Sequence, residues 1–265
     1  MNYDFLAQEP EAYYHMQNWC MSSHRLADFR RSPALYAHKQ LHPEVSDKRP
    51  PAFVLGSAAH KLILEGEAEY EKSYAWGGPL NPKTGAPYGS TTKAFAEWAE
   101  SVGREVLTTE QHLAVVAMSK AVGMHKHASR MLSGGQAEGV IRMTCWGIDC
   151  QIRIDYFSGA GIVDLKTCAD IDRFERDFRS YGYANQLAFY RSVAKEKTGM
   201  LFSCHIVAVE KVPPYRCGVW RIGEGVLNFA EKQNKRAIEA FKRSQEKNDW
   251  PTGYEDVREL DMGDR

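Results

Sequence analysis

The spacing of the apolar residues changes near residue 136, and this change constrains the fold more than any other feature. Up to about residue 130, apolar residues recur every three or four positions, as in amphipathic helices. From about 136 to 222, short runs alternate apolar and polar residues, which is typical of half-buried strands. Helical spacing interrupts these runs once and returns after them. The order predicts an α+β fold, in which helices cover a central mixed sheet and form the N-terminal part.

Capping residues and turn signals set the predicted boundaries. We expect Ser22 or Ser23 to cap one helix, Pro33 to begin the next, and Pro43–Pro51 to be a loop. One helix is predicted over about 55–75 and a long glycine- and proline-rich loop over 76–91. Further helices are predicted over about 92–102, 108–126, 179–198 and 224–247. We expect one domain over 1–265, divided into a mainly helical part (about 1–130), a catalytic sheet (about 136–222), a C-terminal helix (about 224–247) and an acidic tail.

Composition excludes several classes of protein. No apolar run approaches the length of a membrane span, and the N-terminus lacks the layout of a signal peptide, so we expect a cytoplasmic protein. The six cysteines form no C-x-x-C pair, so neither a zinc ribbon nor a disulfide framework is indicated. Lysine and arginine total 34, as do aspartate and glutamate. This balance does not favour a nucleic-acid partner, unless positive charge is confined to the surface that contacts phosphate.

Two carboxylates and a lysine stand out in the predicted meander, on the second and third of its three strands. Alternation places Asp164 and Lys166 on one face of the third strand, and a hairpin would bring Asp155 beside Asp164. Carboxylate and carbonyl oxygens suit Mg²⁺, which can bridge to phosphate, and the Leu165 carbonyl could supply one more ligand. The alternative is a surface ion pair between Asp164 and Lys166, with Asp155 merely starting a turn.

Several segments together resemble one nuclease family. Asp155 followed by Asp164-Leu165-Lys166 is similar to the D…(D/E)-x-K signature of the restriction-like nuclease superfamily. The other segments resemble its RecE-type (exonuclease VIII) branch, which is related to phage lambda exonuclease and the RecB nuclease domain. They occur in the family's order over about 20–190 and read SSHRLADFRRSPALYAHK, LGSAAHKLILE, QAEGVI, IVDLKTCADIDRF and NQLAFY.

The resemblance implies roles for individual residues. His60, Asp155, Asp164 and the Leu165 carbonyl become metal ligands, and Lys166 becomes the catalytic lysine. Glu138 is implied to bind a second ion or to support the ligands, and Gln186 and Tyr190 to line the site from one helix face. Without the family, His60 is a helix-packing histidine, Gln186 and Tyr190 form a half-buried polar face, and Glu138 ends a strand.

The resemblance also implies a site for the 5′ phosphate of DNA. Ser22, Ser23, His24 and Arg25 occupy the corresponding region, and a helix start with an arginine suits a phosphate monoester. A histidine stands where relatives often have serine, so the individual ligands stay open. The alternative is an ordinary helix cap followed by solvated arginines.

The function implied by the resemblance is a Mg²⁺-dependent exonuclease that degrades the 5′-ended strand of duplex DNA and leaves 3′ overhangs for recombination. One or two ions per site are expected, and Mn²⁺ should be accepted alongside Mg²⁺ because His60 is a nitrogen ligand. The expected partners are double-stranded DNA ends, a single-strand annealing protein and further copies of the chain in a ring trimer or tetramer. The alternatives are a structure-specific or flap endonuclease and a catalytically inactive DNA-binding module.

Overall fold

The computed structural model describes residues 3–42 and 51–259, apart from the side chains of Pro51 and Ala52. The helices are α1 (Glu11–Met16), α2 (Ser23–Arg31), α3 (Pro33–Leu41), α4 (Pro51–His60), α5 (Glu67–Ser73), α6 (Lys93–Val102), α7 (Thr109–Met124), α8 (Lys126–Met131), α9 (Phe174–Ser180), α10 (Tyr183–Thr198) and α11 (Glu224–Lys247). The strands are β1 (Tyr74–Trp76), β2 (Glu105–Leu107), β3 (Gln136–Cys145), β4 (Ile148–Ser158), β5 (Gly161–Cys168), β6 (Cys204–Glu210) and β7 (Cys217–Arg221). None of the helices in the described ranges has the length and apolar character needed to cross a bilayer.

The predicted helix starts at Ser22 and Pro33 are confirmed. The Ser22 side chain caps α2 by accepting a hydrogen bond from the Arg25 backbone N–H. Ser32 caps α3 in the same way, with Pro33 in its first turn, where a missing N–H costs nothing. Of the loop predicted over Pro43–Pro51, residues 43–50 lie outside the described part of the chain, and Pro51 is already the first residue of α4.

The single helix predicted over 55–75 is wrong. Helix α4 ends at His60, a π-helical turn covers Lys61–Glu65, and α5 begins only after Gly66. Gly66 has φ +86°, a conformation that ends a helix and that glycine adopts at little cost. The helix predicted over about 179–198 is confirmed as α10, which begins at Tyr183, after Gly182 with φ +68°. The short helix α9 before it was not predicted.

The central sheet confirms the predicted α+β class. Its five strands lie in the order β3-β4-β5-β6-β7, and only the β5–β6 pair is parallel. One face packs against α2, α3, α10 and α11, and we call this the first core layer, represented by Ile152, Ile162 and Ile206. The other face packs against α4, α5, α7 and α8, and this second core layer is represented by Val163, Leu165 and Val207. A separate two-stranded parallel sheet joins β1 to β2.

Candidate active site

The candidate site lies where β4 and β5 separate. Their ladder runs from Ser158↔Gly161 to Tyr156↔Val163, and the same register places Asp155 opposite Asp164. Backbone pairing stops there, and the Leu165 N–H instead donates to Asp155 Oδ2 at 2.8 Å. The hairpin therefore brings Asp155 beside the Asp164-Leu165-Lys166 segment, as the sequence predicts.

The strict alternation expected along β4 breaks at Asp155. Ile152 and Ile154 pack in the first core layer, but Tyr156, two residues later, packs in the second. On β3, Glu138 stands opposite Asp155 in register and has φ +54°, a value that non-glycine residues seldom adopt. The break in alternation at Asp155 and the positive φ of Glu138 change the direction of both strands. Side chains from both core layers therefore come together beside Asp155.

A hydrogen-bonded group from the first core layer surrounds Asp164. Its carboxylate is 1% exposed, and Lys166 Nζ lies 2.7 Å from Oδ2. Gln186 on α10 donates to Asp164 Oδ1 at 3.1 Å and accepts from Lys166 Nζ at 3.3 Å. Gln186 also lies 3.1 Å from the Tyr190 hydroxyl, and the lysine ammonium stands 4.8 Å from the centre of the Tyr183 ring. The structure thus places Gln186 and Tyr190 beside the carboxylate–lysine pair.

His60 reaches the same point from the second core layer, at the C-terminal end of α4. Its Nδ1 lies 3.8 Å from Asp155 Oδ2, and its ring hydrogen-bonds to the Leu165 backbone. Gly56, one turn earlier on α4, lets the helix approach β5, since a Cβ there would lie 3.2 Å from Thr167 Oγ1. The packing-histidine alternative does not account for a ring placed beside a buried carboxylate.

Burial governs the protonation of these groups. It raises the pKa of Asp164 to about 6, against the opposing effect of Lys166, and it also raises the pKa of Asp155. Burial opposes the charge on Lys166, but the Asp164 and Asp155 carboxylates outweigh it and raise the lysine pKa. Burial and the nearby lysine charge lower the pKa of His60 to about 4. At neutral pH the site therefore offers the Asp164 carboxylate, a neutral imidazole and an ammonium.

The donor set fits a divalent cation. Asp164 Oδ2 is buried without a well-directed hydrogen bond, although the Lys166 ammonium is close, so it keeps a lone pair for a ligand. Asp155, His60 and the Leu165 carbonyl add oxygen and nitrogen donors. Over residues 3–42 and 51–259, no three His, Cys, Asp or Glu side chains converge into a ready-made cage. A cation that keeps several of its water molecules, as Mg²⁺ does, needs no such cage.

Glu138 contacts an arginine at the edge of the site. Its Oε2 lies 2.5 Å from Arg153 Nε, and Glu11 of α1 lies 4.0 Å from the same guanidinium group. Burial first, and then the Asp155 charge, raise the pKa of Glu138 to about 8. The structure therefore places Glu138 next to Asp155, with an arginine that the sequence interpretation did not include.

A cavity of about 810 Å³ opens over these residues, and only part of the predicted phosphate site faces it. Ser23 and His24 line the cavity together with His60, Asp155 and Lys166. Burial, followed by the Lys166 charge, lowers the pKa of His24.

Ser22 and Arg25 are not among the residues that line this cavity. The Ser22 hydroxyl is used as the cap of α2. The Arg25 guanidinium donates to the Cys20 carbonyl at 2.9 Å and to the Gln40 side chain. These hydrogen bonds hold the Arg25 guanidinium outside the cavity wall.

The cavity wall also contains residues that the sequence interpretation missed. Arg30 lies seven residues after Ser23 on α2, a spacing of two helical turns that could have identified it. The other missed residues of the wall include Glu11, Tyr14, Arg153, Gly182, Tyr183 and Lys211. Most come from elements whose arrangement no local sequence pattern encodes.

Comparison with known proteins places this site in a family. The fold resembles the crystal structure of "Putative exonuclease" from Eubacterium rectale with a TM-score of 0.67, over 97% of each chain and at 15% identity. That identity supports a likeness of fold alone. No curated protein matches the sequence. Residues 22–260 match the model of one family, and the protein therefore belongs to the PDDEXK-like domain family of unknown function (DUF3799), within the PD-(D/E)xK nuclease superfamily.

Proposed function

We propose that the protein is a metal-dependent nuclease that hydrolyses phosphodiester bonds in DNA. The observation that carries this proposal is the meeting of Asp155, Asp164 and Lys166 beside a cavity, at the point where β4 and β5 separate. A surface ion pair would not require a carboxylate that is 1% exposed, nor a second buried carboxylate beside it. Two acids next to a phosphate would repel it unless a cation lay between them, so DNA binding alone does not explain the set.

His60, Asp155, Asp164 and the Leu165 carbonyl are the proposed ligands of Mg²⁺, and Mn²⁺ is the proposed alternative. When bound, such an ion polarises the phosphoryl group and lowers the pKa of water. Glu138, beside Asp155, is proposed to support the ligands or to bind a second ion.

Lys166 is proposed to act as a fixed positive charge. Because the two carboxylates raise its pKa, it is protonated at neutral pH and can donate to a phosphate oxygen or to the attacking water. The charge that develops on the phosphate in the transition state would thereby be stabilised. Gln186 holds the ammonium and Asp164 in a fixed relation, and Tyr190 orients Gln186.

The finer proposal is a 5′-to-3′ exonuclease on double-stranded DNA that leaves 3′ overhangs. It is supported by the RecE-like segments and by the name of the Eubacterium rectale protein. Assignment to the RecE branch, a ring trimer or tetramer, and an annealing protein as partner remain predictions from that resemblance. Ser23 and His24 are the residues of the proposed 5′-phosphate region that face the cavity.

The test uses the purified protein with a linear duplex that carries one 5′ phosphate and a different label on each strand. A covalently closed circle, an EDTA reaction and the Asp164→Asn variant are the controls. Release of mononucleotides from the phosphorylated strand, with the circle intact, is the expected result. Nicking of the circle would replace the exonuclease with an endonuclease. If the protein binds DNA but cleaves no substrate with either Mg²⁺ or Mn²⁺, the function would instead be that of a catalytically inactive DNA-binding module.

A further inference from the structure

Arg30 is a positive charge in the cavity wall, and its hydrogen-bond partner in the described part of the chain is neutral. Its NH1 donates to Asn234 Oδ1 at 2.6 Å, and the acceptor is a neutral amide. No ion pair to Arg30 is found within the described ranges, and burial is the cause that lowers the pKa of its guanidinium. A partly buried guanidinium in this state lacks the compensation that buried charges normally have.

Three other buried or half-buried arginines have a carboxylate partner. Arg142 lies 2.7 Å from Glu9 and Arg191 lies 2.6 Å from Glu224, while Arg153 has both Glu138 and Glu11 within 4.0 Å. Arg30 differs from these three in being held by a neutral partner, and it differs from Arg25, whose partners are also neutral, in lining the cavity.

The Asn234 side chain is fixed by hydrogen bonds and holds the Arg30 guanidinium in place. It lies on α11, is 1% exposed, and donates through Nδ2 to the Asn185 backbone carbonyl at 2.8 Å. The Asn185 side chain in turn contacts Gln233 and Asn234. With both ends of the amide engaged, the acceptor that faces Arg30 cannot turn away. An aspartate at this position would fit the same space and would neutralise the arginine.

Arg30 also lines the cavity. Gly182, which also lines the cavity, lies so close that an added Cβ would be 3.4 Å from Arg30 NH2. Ser23 and His24 of α2 line the same cavity, as does Lys166. An anion that entered this space would meet a planar, permanently charged donor group.

We propose that Arg30 binds a phosphate group of the DNA substrate and that Asn234 positions Arg30 for this contact. Helix α11, from the C-terminal part of the chain, is thereby part of the substrate site. The inference rests on the proposed nuclease function. The phosphate can be the terminal 5′ phosphate or a phosphate within the strand, because both offer oxygens to the same guanidinium.

The test measures kcat and KM on two duplexes that differ only in a 5′ phosphate or a 5′ hydroxyl. The variants are Arg30→Ala and Asn234→Asp. Arg31→Ala is the matched control for the first, because Arg31 is an exposed neighbour outside the cavity wall. Gln233→Glu is the control for the second, because it adds the same charge one residue away at an exposed position.

Arg30→Ala is expected to raise KM by about 10- to 100-fold, the usual range for a lost charged hydrogen bond, with little change in kcat. It should also lower the slope of log binding constant against log salt by about 0.7–0.9, as one lost phosphate contact does. A rise restricted to the phosphorylated duplex identifies the terminal phosphate, and an equal rise on both identifies an internal one. An unchanged KM and salt slope on both duplexes would overturn the proposal.

Asn234→Asp is expected to raise KM in the same direction, because the new carboxylate competes with phosphate for Arg30. The variant gains an ion pair with Arg30 but loses the Nδ2 hydrogen bond to the Asn185 carbonyl, so the kinetics are measured well below its melting temperature. If the role of Asn234 were merely structural, the variant would instead lose turnover without a change in KM. That result would remove its positioning role.

Binding measured separately from cleavage distinguishes this inference from the proposed function. Fluorescence anisotropy with a labelled duplex in Ca²⁺ gives the dissociation constant whether or not the protein cuts DNA. If wild-type protein binds but never cleaves, the nuclease proposal fails, while a weaker affinity of Arg30→Ala than of Arg31→Ala still supports phosphate binding. If wild-type protein does not bind DNA, both proposals fail.

Discussion

The Leu165 backbone N–H donates a 2.8 Å hydrogen bond to Asp155 Oδ2, in place of the next rung of the β4–β5 ladder. One carboxylate thus ends the strand pairing, satisfies a buried donor and stands beside the Asp164 carboxylate. The remaining lone pairs of the Asp155 carboxylate stay free for a ligand, because a carboxylate can accept several hydrogen bonds.

Substitution of Asp155 should separate its structural role from its chemical one. Asp155→Asn keeps an oxygen for the Leu165 N–H, whereas Asp155→Ala leaves this buried donor without a partner. Both variants should lose DNA cleavage, but the alanine variant should unfold with about 1–3 kcal/mol less free energy than the asparagine variant. Urea unfolding in EDTA measures the difference, and equal free energies would contradict the anchoring role.

Lys166→Ala should lower turnover by about 100- to 1,000-fold, because the ammonium acts on charge that develops in the transition state. Metal-dependent DNA binding should be largely retained. Single-turnover cleavage and anisotropy measure the two effects. Lys211→Ala, at a second lysine of the cavity wall, is the control and should retain most of its turnover. Near-normal turnover of Lys166→Ala would remove this lysine from the mechanism.

Gly56→Ala should weaken the site without touching a proposed ligand. The new methyl group would lie 3.2 Å from Thr167 Oγ1, which requires a displacement of a few tenths of an ångström. We expect α4 to take up part of it by moving away from β5, together with His60. The metal concentration needed for half-maximal cleavage should therefore rise several-fold. Thr167→Ala removes the obstructing hydroxyl, and the Gly56→Ala/Thr167→Ala double variant should recover most of the loss. A double variant as impaired as Gly56→Ala would exclude this explanation.

His60→Ala should change the metal preference. Burial lowers the pKa of His60 to about 4, so its ring is neutral at pH 7 and can offer a nitrogen lone pair. Nitrogen donors favour Mn²⁺ over Mg²⁺, and the ratio of Mn²⁺-supported to Mg²⁺-supported cleavage should fall in the variant. The same ratio in wild type and variant would mean that His60 is not a ligand.

Glu210 should give the stability of the protein a defined pH dependence. Hydrogen bonds from Arg216 first, and then from the Ile171 and Arg216 backbone, lower its pKa from 4.5 to about 2. Because the folded value is below the unfolded one, ionised Glu210 stabilises the fold fully above pH 4.5, and this contribution is lost as the pH falls towards about 2.

Glu210→Gln should therefore cost about 1–3 kcal/mol of unfolding free energy at pH 7, and the difference from wild type should shrink between pH 4.5 and 2. Urea unfolding across this range is the measurement. Glu246→Gln, at an exposed position of α11, is the control. A difference that stays constant with pH would show that the Glu210 charge is not what stabilises the fold.

The sequence predicted the parts of this protein that depend on neighbours within a few residues. Alternation along β5 placed Asp164 and Lys166 on one face, because successive side chains of a strand point in opposite directions. Ser22 and Pro33 marked helix starts because capping acts within one helical turn. The same local patterns predicted the α+β class.

Prediction failed where a position is set by backbone conformation rather than by apolar spacing. The apolar spacing runs through Gly66, but its positive φ ends the helix and leaves His60 at the end of α4. Likewise, alternation along β4 should continue past Asp155, yet the distortion opposite Glu138 turns the strand.

By itself, then, the sequence determined most of the secondary structure and the identity of the carboxylate–lysine set, since both follow from short-range geometry. Only the tertiary structure decided which arginine of α2 faces the cavity. Arg25 hydrogen-bonds to the Cys20 carbonyl and the Gln40 side chain. Arg30 instead hydrogen-bonds to Asn234, which lies 204 residues further along the chain. No local pattern encodes that pairing, because it arises only when α2 and α11 pack against the same face of the sheet.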